Sequence, residues 1–184
     1  MGLYLNPNAD AFQMGLNTEI YVDKSLILSE LNKLVSSQGN FVCLSRPRRF
    51  GKSMAGNMIS AYYSKGCDTR EVFSQMKLGQ EPGFDKYLNK FNVIKLDLNG
   101  WYQNTKKKNT HASLIEQIDK IVAEEFKEQF QNIVFGDDEN SIDKCISKVY
   151  KLTGEKFVII IDEYDVLIRE QVPQSLFDSY LSFL

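Results

Sequence analysis

The sequence contains little of the material that disulfide frameworks and histidine sites require. It has 3 cysteines at widely separated positions (Cys43, Cys67 and Cys145) and 1 histidine, His111. There is no Cys-x-x-Cys pair, so neither a disulfide scaffold nor a cysteine zinc site is indicated. A lone histidine also gives too little material for a histidine metal site or a Ser-His-Asp triad.

Membrane and secretion signals are missing as well. The sequence shows neither an apolar run long enough to cross a bilayer nor a basic N-terminus followed by an apolar stretch. Charges nearly balance, with 22 Lys and Arg against 24 Asp and Glu, which argues against a broad basic surface for nucleic acid or membrane. We therefore expect a cytoplasmic protein that does not associate with membranes.

Length and apolar content favour one folded domain. The chain has 184 residues, of which 43% are hydrophobic, enough for one sizeable core. Residues 1–18 are polar and patternless, so we expect an irregular lead-in there. Residues 19–184 are then predicted to form a single domain.

Short, unbroken apolar runs alternate with helical patterns along this domain. Residues 41–44, 91–98 and 157–161 read as strands, the first of them buried on both faces of a sheet. Apolar residues at helical spacing predict helices over 26–35, 52–63, 114–130 and 141–152, and another from 176. Strands separated by helices predict an α/β fold with a mostly parallel sheet.

One segment between a predicted strand and a predicted helix is typical of phosphate binding. Its last three residues, Gly51, Lys52 and Ser53, fit the pattern GxxxxGK[ST], although Arg46 stands at the first glycine. Glycine lets the backbone approach the phosphates, the lysine reaches the β- and γ-phosphates, and the serine hydroxyl binds Mg²⁺. The predicted nucleotide-binding residues are Arg46, Pro47, Arg48, Arg49, Phe50, Gly51, Lys52 and Ser53.

The predicted strand at 157–161 ends in two adjacent acids, Asp162 and Glu163. This is the form of a Walker B strand, which delivers carboxylates to the Mg²⁺ of a bound nucleotide. We expect Asp162 and Ser53 to hold the metal, and Glu163 and Lys52 to act in catalysis, with Glu163 polarising the attacking water. A strand end followed by a solvated turn is the alternative interpretation.

Three strings in this order resemble the bacterial AAA-ATPase-like family. They are Tyr-Val-Asp-Lys-Ser at 21–25, Arg-Pro-Arg-Arg-Phe-Gly-Lys-Ser at 46–53 and Asp-Glu-Tyr-Asp at 162–165. The resemblance covers the chain from about Asn17 onward, and in this family Arg46 is the usual variant of the first glycine. It implies a P-loop NTPase fold, with helices on both faces of the sheet, that binds ATP.

The same resemblance implies a further domain and suggests a role for the first string. Family members commonly carry a C-terminal PD-(D/E)xK nuclease-like domain, which would link them to nucleic acid. Because little chain follows Glu163, we expect this sequence to be a fragment whose sheet is incomplete at the C-terminus. Residues 21–25 could border an adenine pocket, or Asp23 could simply cap the next helix.

Three functions remain open from the sequence. The first is an Mg²⁺-dependent ATPase coupled to a partner or to the missing nuclease-like domain. The second is a regulatory module that binds nucleotide without turnover, since no arginine finger or sensor residue can be identified. The third is a nucleic-acid-binding protein that uses the basic loop at 46–49. The sequence does not predict an oligomeric state.

Overall fold

The computed structural model describes residues 2–45, 47, 50–108 and 113–184. The chain divides into two compact units, the first comprising Asn6–Val93 and the second combining Gly2–Leu5 with Ile94–Leu184. Both units contribute helices, and the chain also has strands, which confirms the α/β class. The P-loop arrangement of a larger sheet stays a prediction.

The first unit is mainly helical. Its elements are α1 (Asp10–Leu16), α2 (Leu26–Leu34), α3 (Lys52–Tyr63), α4 (Arg70–Ser74) and a 3-10 helix (Lys77–Gln80). The helix predicted over 52–63 is confirmed at both ends, and the helix predicted over 26–35 ends one residue early.

Helix α1 lies within the segment predicted to be irregular, so that prediction is wrong for Asp10–Leu16. Phe12 of this helix is buried, and its ring stacks on Phe73 with 5.4 Å between centroids. Burial of an aromatic side chain can stabilise a short helix that has no clear sequence signal. The same aromatic cluster includes Tyr62 of α3, which lies 5.3 Å from Phe73 and anchors the C-terminal half of α3.

The strand predicted at residues 41–44 is not formed. The described chain has no regular secondary structure there, and Phe41 is 93% exposed. An apolar run becomes a strand only when a neighbouring strand pairs with its N–H and C=O groups. Composition alone therefore gave the wrong structure for this segment.

The second unit contains the sheet and the larger core. Strands β1 (Asn92–Asp97) and β2 (Phe157–Asp162) pair in parallel within the described part of the chain, and both strands were predicted. The helices of this unit are α5 (Leu98–Lys107), α6 (Leu114–Gln129), α7 (Ile142–Thr153), α8 (Val166–Arg169) and α9 (Gln174–Phe183).

The core of the second unit is built from the apolar faces of these helices. Ile118, Val122 and Phe126 of α6 are fully buried, as are Cys145 and Val149 of α7. On each helix they repeat at intervals of four residues, the spacing of one helix face. The sheet is thus held against helices, and its strands end in two acids, Asp97 and Asp162.

Candidate functional site

The predicted phosphate-binding segment lies in the first unit and is described in part. Arg46, Arg48 and Arg49 lie outside the described residues, so their predicted contacts with nucleotide stay predictions. Pro47 and Phe50 are exposed and precede Gly51, and the amide of Phe50 donates to the carbonyl of Pro47 at 3.4 Å.

Gly51 occupies the turn between this segment and α3. Its φ of 77° and ψ of 33° place it in the left-handed region, which glycine enters without the strain that a Cβ would cause. Its carbonyl accepts a hydrogen bond from the amide of Ala55 at 3.0 Å. Gly51 therefore makes the turn that leads directly into the first residue of α3.

Lys52 and Ser53 are the first two residues of α3. Lys52 is half-buried and Ser53 is exposed. The first N–H groups of an α-helix have no partner within the helix and carry partial positive charge. The sequence thus places a cationic side chain, a hydroxyl and helix-terminal amides within three residues, a combination suited to an anion.

Residues 23–25 connect to this segment, a link that sequence reasoning missed. Lys24 Nζ donates to the carbonyl oxygen of Phe50 at 2.9 Å. The flanking residues hold the 3-10 helix, because Asp23 Oδ2 accepts from the amide of Lys77 at 2.7 Å and Ser25 Oγ from that of Leu78 at 3.0 Å. The resemblance had singled out residues 21–25, but no sequence pattern indicates which of their side chains reaches which neighbour.

Asp23 does not cap α2, contrary to one of the two interpretations. The helix begins at Leu26 after Ser25, and Asp23 Oδ1 accepts from the amide of Ser25 at 2.8 Å. Partial burial pushes the pKa of Asp23 up, but the hydrogen bonds from Lys77 and Ser25 together hold it below its ordinary value. Asp23 thus serves as an ionised acceptor for two backbone amides.

A shallow cavity opens beside Tyr21 and Asp23. Its volume is about 460 Å³. Its lining comprises Leu16, Tyr21, Asp23, Glu71, Val72, Gln75 and Met76. The adenine pocket suggested for residues 21–25 stays a prediction, and this cavity is where it would be tested first.

The carboxylates of the predicted Walker B strand lie in the second unit. Asp162 is the last residue of β2, and its Oδ1 accepts from the amide of Glu163 at 3.0 Å. Glu163 has a positive φ of 53°, an uncommon value for a residue with a side chain. The chain turns sharply at this point, with two acids side by side.

Arg169 of α8 joins two of these acids. Its Nη2 donates to Glu163 Oε2 at 2.8 Å, and its Nη1 lies 3.6 Å from Asp165 Oδ2. The side chains of Arg169 and Glu163 are about one third exposed, at 31% and 30%. The predicted general base is therefore held by a guanidinium, which sequence spacing alone could not show.

A second cation, Lys95 of β1, lies beside the same carboxyl edge. Burial lowers its pKa, and the carboxylates of Asp162 and Asp97 act in the opposite direction. Asp97 at the end of β1 accepts from the amide of Gly100 at 3.1 Å and so caps α5. Lys95 and Asp97 are two residues apart on a strand, a spacing that would have revealed their common face.

The described residues hold no group of three or more His, Cys, Asp and Glu side chains that could bind a metal ion. In the same part of the chain, no helix combines the length and the apolar character that a membrane span requires. The phosphate-binding segment and the acids after β2 are each described within their own unit.

Comparison with family models places most of the chain in a known family. The model of a family described as predicted AAA-ATPase matches residues 11–184. No curated protein and no solved structure matches the chain. Because the family match covers almost the whole length, the chain belongs to this AAA-ATPase-like family, whose membership indicates a nucleotide-binding or ATPase role.

Proposed function

We propose that this chain is a P-loop module that binds ATP and hydrolyses it in the presence of Mg²⁺. The observation that carries the proposal is Gly51, in a left-handed conformation directly before α3. This turn presents the N-terminus of α3 to the segment where the phosphates would lie. Family membership supports nucleotide binding, and the assignment to individual residues is our inference.

Each residue of the segment has a role in this proposal. The backbone amides from Gly51 onward would bind phosphate oxygens, and the Lys52 ammonium would neutralise the β- and γ-phosphates. Arg46, Arg48 and Arg49 would add positive charge, with Pro47 and Phe50 shaping the loop. Charge-assisted hydrogen bonds of this kind are stronger than neutral ones.

Ser53 and Asp162 are the residues that we propose as magnesium ligands, because each offers an oxygen of the kind the ion prefers. Ser53 presents an exposed hydroxyl in the first turn of α3, and Asp162 ends β2 with a carboxylate. Magnesium prefers oxygen ligands and commonly takes only one or two carboxylates, with water and phosphate oxygens completing its shell. When bound, the ion would neutralise charge on the phosphates.

Glu163 would act as the general base toward the attacking water. Its neighbour Asp162 accepts its amide, which fixes the backbone between the two acids. We further propose that hydrolysis occurs in the cytoplasm and drives a partner or a C-terminal nuclease-like domain, through which nucleic acid would be reached. This coupling is supported by the resemblance of the three sequence strings.

Calorimetric titration of Mg-ATP into wild type and Lys52→Ala tests the proposal. We expect the substitution to weaken ATP binding at least about 100-fold, because the phosphates would lose a charge-assisted hydrogen bond and a neutralising cation. Lys33→Ala is the matched control, since Lys33 is exposed and its ammonium pairs with the nearby Glu30. A Lys52→Ala variant with wild-type affinity would overturn the assignment. Titration of Mg-GTP then tests whether the site prefers adenine to guanine.

A second function, binding without turnover, is favoured by the ion pair of Glu163. The Glu163 oxygen that accepts from Arg169 at 2.8 Å already has a hydrogen-bond partner in the place that an attacking water would have to take. This alternative predicts that purified protein retains unhydrolysed ATP, seen by native mass spectrometry, and that a phosphate-release assay shows no turnover. If wild type releases phosphate steadily and Glu163→Gln abolishes this release, binding without turnover is excluded.

A further inference from the structure

We propose that Lys24 is a positioning residue for the phosphate-binding segment and that it acts through the peptide bond between Phe50 and Gly51. This inference rests on the proposed function, because it assigns a role at the same site. The contact that carries it joins Lys24 Nζ to the Phe50 carbonyl oxygen at 2.9 Å, across 26 residues of sequence.

The geometry of the peptide bond determines how this contact affects the direction of the Gly51 N–H. In a trans peptide the C=O and the following N–H point in opposite directions from one rigid plane. The chain has no cis peptide bond among its described residues. By holding the Phe50 oxygen, Lys24 thus directs the N–H of Gly51 away from itself, toward the side where an anion would be bound.

Lys24 is itself held on both sides. Asp23 accepts from the amide of Lys77 and Ser25 accepts from the amide of Leu78, and Ser25 is fully buried. The tripeptide therefore has two anchors fixed to the 3-10 helix and one side chain that extends to the loop. A long side chain on an immobile backbone loses less freedom when it makes a specific contact.

The conformation of Gly51 agrees with this role. A Cβ placed on Gly51 would lie 3.4 Å from Lys24 Nζ, so the ammonium packs closely against the residue that turns the chain. The left-handed φ of 77° at Gly51 needs a defined orientation of the peptide bond between Phe50 and Gly51. Lys24 supplies a charged donor for the carbonyl oxygen of Phe50 in that bond.

Lys24→Met tests the proposal, since methionine keeps most of the length and loses the donor and the charge. We expect Mg-ATP affinity to fall about tenfold, as for the loss of one charge-assisted hydrogen bond. Thermal melting without nucleotide should change by less than about 2 °C, because the contact is exposed. Lys24→Arg should restore affinity to within about threefold of wild type, because arginine retains donor and charge. Lys33→Met is the control and should bind as wild type.

Hydrogen exchange without nucleotide provides a second measurement that is independent of ATP. In Lys24→Met we expect faster exchange in peptides covering residues 50–54 and no change over residues 56–63 of α3. Unchanged exchange at 50–54 would overturn the proposal. So would wild-type ATP affinity in Lys24→Met, or failure of Lys24→Arg to restore binding. If wild type itself does not bind ATP, the proposed function fails, whereas the exchange result still decides whether Lys24 orients the loop.

Discussion

Residues 41–44 and 157–161 are two apolar runs of similar composition, Phe-Val-Cys-Leu and Phe-Val-Ile-Ile-Ile, that differ in structure. The second forms β2 and pairs with β1. The first has no strand pairing in the described chain, and its Phe41 is 93% exposed. Hydrophobicity favours burial in general, but pairing and packing partners determine which run becomes a strand.

Contacts around β2 show what the other run lacks. Phe157 at the start of β2 packs its ring 5.6 Å from Phe126 of α6, inside the main core. At its other end, the turn after β2 is fixed by Tyr180 of α9, whose hydroxyl donates to the carbonyl of Tyr164. Burial raises the pKa of Tyr180 to about 12. Asp162 therefore ends a supported strand and Glu163 follows it, whereas residues 41–45, 47 and 50 are exposed.

The largest effect is expected from removing the aromatic support of β2. Phe126 is fully buried, so Phe126→Ala should lower the free energy of unfolding by about 3–5 kcal/mol through lost burial and a cavity. Urea unfolding followed by circular dichroism measures this. Tyr150→Ala is the control, because Tyr150 on α7 is 55% exposed. A loss below 1 kcal/mol at Phe126 would show that β2 does not depend on this core.

The next effect concerns Glu163, the proposed general base, which directly follows β2. Glu163→Gln should slow phosphate release about 100-fold, the contribution of a general base, while Mg-ATP affinity stays near the wild-type value. Single-turnover phosphate release and calorimetry separate the two quantities. Glu170→Gln is the matched control, since Glu170 pairs with Lys106 on the surface. Equal losses in both variants would contradict the role of Glu163.

A smaller effect is expected from the buried thiol of the second unit. Burial raises the pKa of Cys145 to about 11, from an ordinary value of 9.0. Between these values the folded chain keeps a proton that the unfolded chain loses, so stability that is present below pH 9 declines as pH rises toward 11.

Cys145→Ser should flatten this decline, because serine does not titrate in that range. Urea unfolding of both proteins at pH 8 and pH 10.5 measures it. If the free energy of unfolding of Cys145→Ser declines in parallel with that of wild type, groups other than Cys145 cause the loss of stability at alkaline pH. A separate labelling experiment distinguishes the buried Cys145 from the exposed Cys43. A thiol reagent should modify Cys43 in the native protein.

The smallest effect is expected at the run that does not form a strand. Phe41→Ser should change the free energy of unfolding by less than about 0.5 kcal/mol, because the side chain is already in water. Urea unfolding is again the measurement. A loss of about 3 kcal/mol, the cost of opening a core, would show that residues 41–44 are buried as the sequence predicted.

Several elements could be predicted because their signals are local. The bounds of α3 follow from Gly51 before it and from the residues that favour helix within it, and β2 follows from five consecutive apolar residues. Asn99 and Gly100 form a dipeptide that is typical of a turn, yet both lie in α5. Asp97 accepts the amide of Gly100, and such a cap starts a helix where the dipeptide alone indicates a turn.

The sequence by itself determined the chemical groups of this protein: a glycine, lysine and serine at the start of one helix and two acids at the end of one strand. It also determined the order of most helices and strands, because periodicity and turn residues act over a few positions. Only the tertiary structure decided which apolar run pairs, which carbonyl Lys24 holds and which acids Arg169 joins. Those outcomes depend on residues that are distant in sequence or on the direction of long side chains, which local patterns do not specify.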